Sequence, residues 1–180
     1  MDIRAANAED IGSIARIHVI CWQSAYRDIL PSTTLNALRV EQRAALWRGW
    51  IAGPGVHTLV AESGGRVVGF TRLCPARTIE SPPGGAAEVT HLYVDPEAQA
   101  RGAGKALLGR ALSLAVAAGY GTLVLWVLEE NAPARRFYGR LGLTPDGGRH
   151  TDPAYLGSDA VEVRYRISLD GVQGAKTVRG

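Results

Sequence analysis

Hydrophobic residues in the first third of the chain recur at the spacing of helices. After a short strand at residues 3–5, Asn7 is suited to cap a helix that runs to about Trp22. Residues 26–31 then connect this helix to a second helical pattern over residues 40–51. A Gly-Pro-Gly sequence breaks that pattern, so the sequence predicts two helices after the first strand.

The middle of the chain has the composition of strands. Residues 57–62 and 66–73 are rich in β-prone side chains, and a Ser-Gly-Gly turn joins them, which predicts a hairpin. A stretch rich in proline and glycine at 81–85 separates this hairpin from another predicted strand at 88–94. An Asp-Pro pair ends that strand.

Helical and strand patterns alternate again toward the C-terminus. Apolar residues over 105–118 follow the period of a helix, and Gly119 is well placed to end it. The continuous apolar run at 123–128 is typical of a strand covered on both faces. Asn131 can cap the next helix, and the alternation over 161–167 predicts a late strand with one solvated face.

The composition favours one globular domain. Of the 180 residues, 46% are hydrophobic and 21% are charged, which is ordinary for a folded protein. No internal repeat or low-complexity segment divides the chain. We therefore expect one mixed α/β domain over residues 1–168 and a flexible tail over the polar, glycine-rich residues 169–180.

Charge and cysteine content narrow the classes of partner. The net charge of +3 favours an anionic partner, but Lys and Arg are scattered, which argues against nucleic acid. Cys21 and Cys74 are the only cysteines, and the sequence has neither a C-x-x-C pair nor a His-Cys cluster at the spacing of metal ligands, so neither a disulfide framework nor a metal site is expected. Neither a signal peptide nor an apolar stretch of about 18 residues is found, so we expect a cytoplasmic protein with no membrane partner.

Between the strand at 88–94 and the next helix lies a turn that contains two glycines. Without Cβ atoms, its backbone N–H groups can face outward, and the helix N-terminus adds the positive end of its dipole. Two basic side chains add charge, so the turn is suited to a diphosphate. The residues expected to form this site are Gln99, Ala100, Arg101, Gly102, Ala103, Gly104 and Lys105.

Two other phosphate loops do not fit this segment. A Walker loop needs Gly at position 99 and Ser or Thr at position 106, where the chain has Gln99 and Ala106. A dinucleotide fingerprint that starts at Gly102 needs Gly at position 107, where the chain has Leu107. The alternative that stays open is that the glycines only make a tight turn from strand to helix.

The Q-x-x-G-x-G sequence before a long helix, and Asn131 followed seven residues later by Tyr138, resemble the GNAT superfamily of N-acetyltransferases. The resemblance covers most of the chain. It implies an α/β fold with a mixed, mostly antiparallel, twisted sheet of six to seven strands and about four helices. The cofactor of that family enters between the fourth and fifth strands, to which residues 88–94 and 123–128 correspond.

The resemblance also implies how acetyl-CoA would bind. Backbone groups of Leu92, Tyr93 and Val94 would pair with the pantetheine arm, and the amides from Gln99 to Lys105 would hold the pyrophosphate. Asn131 would touch the cofactor as well. Acetyl is the usual donor group of the family, while the length of the acyl chain stays open.

Acetyl transfer to an amine needs a base, since an ammonium must lose a proton before it attacks. Glu88 is the first candidate, eleven residues before Gln99 as in family members that acetylate histone lysines, although it could equally be a surface carboxylate. His91 is the second, but simple alternation puts it on the strand face opposite Glu88. Tyr138 resembles the family's general acid; the alternative is that it only packs its helix against the sheet.

The acceptor side is less defined. Trp22 and Tyr26 could form one wall of its pocket, and His150, Asp152 and Tyr155 the opposite wall, although each group could also be ordinary core or loop. We expect an N-acetyltransferase that acts on a primary amine of a small molecule or peptide, by direct attack in a ternary complex. The alternative is a non-catalytic acyl-CoA sensor or interaction module. Similar proteins are often homodimers, so a homodimer is also considered.

Overall fold

The computed structural model describes residues 1–76 and 85–170. Its strands are β1 Asp2–Ala5, β2 His57–Ser63, β3 Arg66–Pro75, β4 Ala86–Val94, β5 Thr122–Leu128, β6 Thr144–Thr151 and β7 Val161–Ser168. Its helices are α1 Ile11–Ala25, α2 Ser32–Ala37, α3 Val40–Trp50, α4 Ala103–Ala117, α5 Ala132–Arg140 and α6 Pro153–Leu156. In the described part of the chain, no helix is long and apolar enough to cross a membrane.

The strands form one seven-stranded sheet in the order β1-β2-β3-β4-β5-β7-β6. Every neighbouring pair is antiparallel except β4 and β5, which are parallel. These two strands pair only over Ala86–Val89 and Thr122–Leu125, so residues 90–94 of β4 have no partner on β5. The predicted mixed, mostly antiparallel sheet is confirmed, and it opens between its fourth and fifth strands.

Helices cover both faces of the sheet. Successive side chains of a strand point to opposite sides, so one strand supplies core residues to both faces. On one face Val60 and Phe70 pack against α1 and α3, around the fully buried Trp47. On the other face Leu59 and Ala61, the neighbours of Val60 on β2, pack against α4. Helix α5 lies on the α4 side as well, with Tyr138 in the same cluster as Leu108 of α4.

The N-terminal helix differs from its prediction at both ends. Asn7 caps a short 3-10 turn at Ala8–Asp10, which leads directly into α1, and α1 continues to Ala25. Helix α2 lies just beyond the predicted connection and was not predicted, because six residues with one buried apolar position show no period. Likewise α4 begins at Ala103, two residues before the predicted start, with Gly102 as its N-cap.

The segment between α5 and β7 was predicted as a polar connection and instead contains β6 and α6. Strand β6 lies at the edge of the sheet and pairs only with β7, so most of its side chains are exposed and its sequence lacks apolar alternation. Beyond β7, Leu169 is 2% exposed and its N–H donates to the Gly121 carbonyl. Residues 171–180 of the predicted tail lie outside the described residues, as do residues 81–84 of the predicted proline-rich connection.

Candidate active site

A cleft of 1290 Å³ runs through the opening between β4 and β5. Its lining on the α4 side includes Gly104, Phe137 and Tyr138, and its lining on the α1 side includes Trp22 and Glu162. One space therefore joins the predicted phosphate turn to the predicted acceptor residues. The predicted donor and acceptor residues lie along it except Arg101, whose side chain is exposed and is not part of the lining.

The turn before α4 has the backbone of an anion site. Gly102 has a φ of +88°, a left-handed conformation that a glycine adopts without strain, and Ala100 has a φ of +61°. The Ala106 N–H donates to the Gly102 carbonyl, so the amides of Ala103–Lys105 stand before the helical hydrogen bonds begin. These amides and the helix dipole suit a pyrophosphate. Among the described residues, no atom beyond the chain neighbours lies within 4 Å of the place where a Cβ of Gly102 would be, so the turn is open at this point.

Gly104 has a different function in the turn. A Cβ at this position would come within 3.2 Å of the Phe137 Cζ, so the glycine allows α4 and α5 to approach closely. The neighbouring Gln99 points back to the strand, where its Nε2 donates to the Val94 carbonyl over 3.2 Å. The Cys21 thiol donates to the same carbonyl, also over 3.2 Å. The Val94 carbonyl therefore already has two donors within the protein.

A β-bulge in β4 changes which side chains face the acceptor side. Arg72 pairs with His91 and Leu73 pairs with Val89, so Thr90 is an extra residue between them. The prediction that His91 lies on the opposite face from Glu88 is wrong, because the bulge resets the alternation. The His91 ring contacts Trp47 and Trp50, and His91 and Glu88 both line the cleft.

Asn131 is the N-cap of α5, and Tyr138 lies within the same helix. The Asn131 side chain accepts a hydrogen bond from the Ala134 N–H over 3.2 Å, and both Asn131 and Tyr138 are 8% exposed and line the cleft. Burial raises the pKa of the Tyr138 phenol above its ordinary value. The phenol therefore stays protonated at neutral pH and can donate a proton into the cleft.

The predicted aromatic residues form one continuous surface. The Trp22 Nε1–H donates to the Tyr93 hydroxyl over 2.9 Å, and the Tyr26 and Tyr93 hydroxyls are 3.4 Å apart. Tyr155 packs edge-on against Trp22 with ring centroids 5.2 Å apart, so these two residues are neighbours rather than opposite walls. The Arg43 guanidinium lies 5.2 Å from the Trp22 ring.

The lining also includes polar and aromatic residues that were not predicted for the site, among them Arg72, Trp126 and Glu162. Glu162 forms an ion pair with His150, with 3.0 Å between His150 Nε2 and Glu162 Oε2. The solvated face of the late strand was predicted correctly, and Glu162 lies on that face. The sequence did not indicate that this solvated face borders a cleft.

Burial governs protonation throughout this region. It raises the pKa of the Glu162 carboxyl; His150 opposes that rise. It lowers the pKa of His91 to about 3, with Arg72 and Arg43 adding to the effect, so His91 stays neutral at physiological pH. It raises the pKa of Cys21 to about 12, so this thiol stays protonated and does not resemble an activated nucleophile.

The donor set does not resemble a metal centre. Among residues 1–76 and 85–170, no group of three or more His, Cys, Asp or Glu side chains is arranged to hold a metal ion. The unpaired amides before α4, together with the exposed Lys105 that lines the cleft, fit the pyrophosphate of a coenzyme A molecule instead.

The chain is similar in sequence to known and probable acetyltransferases. The model of the acetyltransferase (GNAT) family matches residues 22–143. An uncharacterized N-acetyltransferase of Bacillus subtilis (strain 168) is 33% identical over 136 residues, which cover 76% of each chain. A protein of Mycobacterium tuberculosis (strain ATCC 25618 / H37Rv), named a probable N-acetyltransferase, is 32% identical over 172 residues, which cover 92% of each chain.

The fold has counterparts among solved structures. The PaiA N-acetyltransferase of Thermoplasma acidophilum, in complex with coenzyme A, matches with a TM-score of 0.73. The match covers 92% of this chain and 98% of that chain at 20% identity, so it concerns the fold alone. The match of the family model and the similarity to the two relatives go further than the fold: the chain belongs to the GNAT family of acetyltransferases and is an acyltransferase.

Proposed function

We propose that this protein transfers an acetyl group from acetyl-CoA to a primary amine of a small molecule or peptide. The observation that carries the proposal is the cleft between β4 and β5, which joins an anion-binding turn to a pocket lined by carboxylates and aromatic rings. Two substrates bound from opposite ends of one cleft meet at its middle, and this favours direct attack in a ternary complex.

On the donor side, the amides of Gly102–Lys105 bind the pyrophosphate, supported by the charge of Lys105. The pantetheine arm runs along residues 90–94 of β4, whose edge has no strand partner on β5. Asn131 lies beside this path at the start of α5. The solved complex of the T. acidophilum protein with coenzyme A supports a donor of this class.

On the acceptor side, the amine nitrogen attacks the thioester carbonyl carbon. Glu88, half-buried on β4, lies on this side of the cleft, and its charge favours an ammonium there. As the C–S bond breaks, Tyr138 gives its proton to the leaving thiolate. Trp22, Tyr26 and Tyr155 form the aromatic wall against which the rest of the acceptor packs.

The test is release of free thiol from acetyl-CoA over a panel of primary amines that includes polyamines, aminoglycosides, amino acids and peptides. We expect at least one acceptor to yield thiol and acetylated amine in equal amounts. Binding of acetyl-CoA without turnover of any amine, and without any effect of Tyr138→Phe, would instead identify an acyl-CoA sensor.

A further inference from the structure

His150 and Glu162 form a cross-strand pair inside the cleft. They are directly opposite each other in the β6–β7 register, and His150 Nε2 is 3.0 Å from Glu162 Oε2. The Trp126 ring packs edge-on against the imidazole at a centroid distance of 4.1 Å. All three residues line the cleft, so a strand register and an aromatic contact hold the imidazole in a fixed position.

The pair lies where the sheet opens. Glu162 is opposite Leu128, the last residue of β5, just beyond the part of β5 that pairs with β4. The carboxylates of Glu88 and Asp152 are close enough to Glu162 to raise its pKa further. This part of the cleft is on the α1 side of the sheet, across from the phosphate turn, and three carboxylates surround it.

The hydrogen bond sets the tautomer of the imidazole. A neutral His150 that donates from Nε2 to the Glu162 carboxylate has its proton on that nitrogen, so its Nδ1 carries a lone pair. Within residues 1–76 and 85–170, Nδ1 of His150 forms no hydrogen bond. A carboxylate behind an imidazole holds the ring in one orientation and stabilises the imidazolium when the ring accepts a proton.

We propose that His150, oriented by Glu162, is the group that takes the proton from the acceptor amine. The inference rests on the proposed function and refines it: His150 is the catalytic base, Glu162 is its positioning residue, and Glu88 contributes negative charge that holds the ammonium. The acceptor is therefore an amine that arrives as a cation, with its nitrogen directed toward the β6–β7 pair.

The protons balance as follows. The acceptor ammonium carries three hydrogens, and the product amide keeps one. One proton passes to Nδ1 of His150 and from there to solvent, while Tyr138 donates one to the leaving thiolate and regains it as the attacking nitrogen loses its second proton. The C–N bond forms as the C–S bond breaks, so the products are the acetylated amine, free thiol and one proton.

The test compares kcat/KM as a function of pH for the wild type, His150→Gln, Glu162→Gln and Glu88→Gln, with an amine that the panel identifies. At pH 7, we expect His150→Gln to lose about 100-fold in kcat/KM, the size of a general-base contribution. Added imidazole should restore part of the activity of His150→Ala. For Glu162→Gln we expect a smaller loss, about 10-fold, confined to kcat.

The pH profile separates a base from a merely structural residue. The wild-type kcat/KM should rise with pH through an inflection that His150→Gln removes. Other titratable groups that face Glu162 are Glu88, Asp152, Tyr26 and Tyr155, and Arg164 lies over the Trp126 ring. The Glu88→Gln profile shows whether Glu88 causes the inflection instead.

Glu129→Gln is the matched control. Glu129 forms an exposed ion pair with Arg149, the neighbour of His150 on β6, and neither residue lines the cleft. This variant should keep wild-type activity. Each variant is also tested for acetyl-CoA affinity and thermal midpoint, and His150→Asn replaces His150→Gln if the latter does not fold.

His150→Gln and Glu162→Gln within threefold of wild type, together with a large loss in Glu88→Gln, would overturn the inference and leave the proposed function intact. A wild-type protein that neither binds acetyl-CoA nor acetylates any amine would overturn the proposed function, and the inference with it.

Discussion

At the residue scale, burial sets the protonation of two groups that line the cleft. The Tyr138 phenol stays protonated because burial raises its pKa, and His91 stays neutral because burial lowers its pKa to about 3. The protonated phenol lies on the α4 side of the cleft, and the neutral His91 imidazole lies on the α1 side.

Replacing Tyr138 with Phe tests this directly. We expect kcat for the acceptor amine to fall by about 100-fold, since a positioned proton donor contributes at least that much, while acetyl-CoA affinity changes by less than about twofold. Tyr165→Phe is the control, because Tyr165 is buried in the same cluster as Tyr138, accepts from Arg135 and does not line the cleft. Equal rates for the two variants would mean that the Tyr138 hydroxyl is not the proton donor.

At the element scale, the site is made by interruptions of regular structure. The pairing of β4 with β5 ends at Val89, β4 has a bulge at Thr90, and a turn with a left-handed Gly102 follows the strand. Each interruption exposes backbone or turns a side chain that regular structure would have hidden. The cleft therefore forms where regular elements end or are interrupted.

Gly102→Ala, at the N-cap of α4, and Gly109→Ala, within α4, form a matched pair. Among the described residues, no atom beyond the adjoining backbone lies within 4 Å of the added Cβ at either position, so the two sites are compared by their backbone conformation. At Gly102, with a φ of +88°, alanine should destabilise the fold by about 1 kcal/mol and weaken acetyl-CoA binding. At the exposed helix position Gly109 it should stabilise by about 0.5–1 kcal/mol with unchanged binding. Urea unfolding and calorimetric titration measure both; equal effects would show that the turn conformation is unimportant.

Local sequence predicted the elements whose signals are local. The glycines of the phosphate turn, the period of α4 and the Asn131 cap each depend on a few adjacent residues, and the structure has all three. The bulge at Thr90 depends on the register with β3, which no local pattern encodes. Edge strand β6 lacks apolar alternation because its side chains face water, so neither it nor the place of His150 opposite Glu162 could be predicted.

At the scale of the whole molecule, buried histidines lie between the sheet and the helices α1 and α3. They make the stability of the fold depend on pH. His18 is 0% exposed, its Nδ1 accepts from the Trp47 Nε1–H over 3.1 Å, and its ring packs on those of His91 and Tyr93. Burial lowers the pKa of His18 to about 2. The folded protein therefore excludes protons that the unfolded chain would bind.

The fold becomes less stable as the pH falls. Unfolded histidines bind protons below a pH of about 6.5, and the folded protein does not bind them at His18 and His91 until pH is far lower. Above that pH, the contribution of the two histidines to the free energy of unfolding is at its maximum. Between about pH 6.5 and 3 the free energy of unfolding falls, by up to about 1.4 kcal/mol per pH unit for each histidine. Urea unfolding at pH 7, 6 and 5 measures this fall. A stability that is unchanged over this range would contradict it, and His91→Gln should make the fall less steep.

A crystal structure of the complex with coenzyme A tests the central claim most directly, since the account requires one ligand to occupy the opening in the sheet. We predict its pyrophosphate on the amides of Gly102–Lys105, its pantetheine arm along residues 90–94 of β4, and its sulfur beside the Tyr138 hydroxyl. Coenzyme A bound on another surface, or a sheet whose β4 and β5 close together when the ligand binds, would contradict the account.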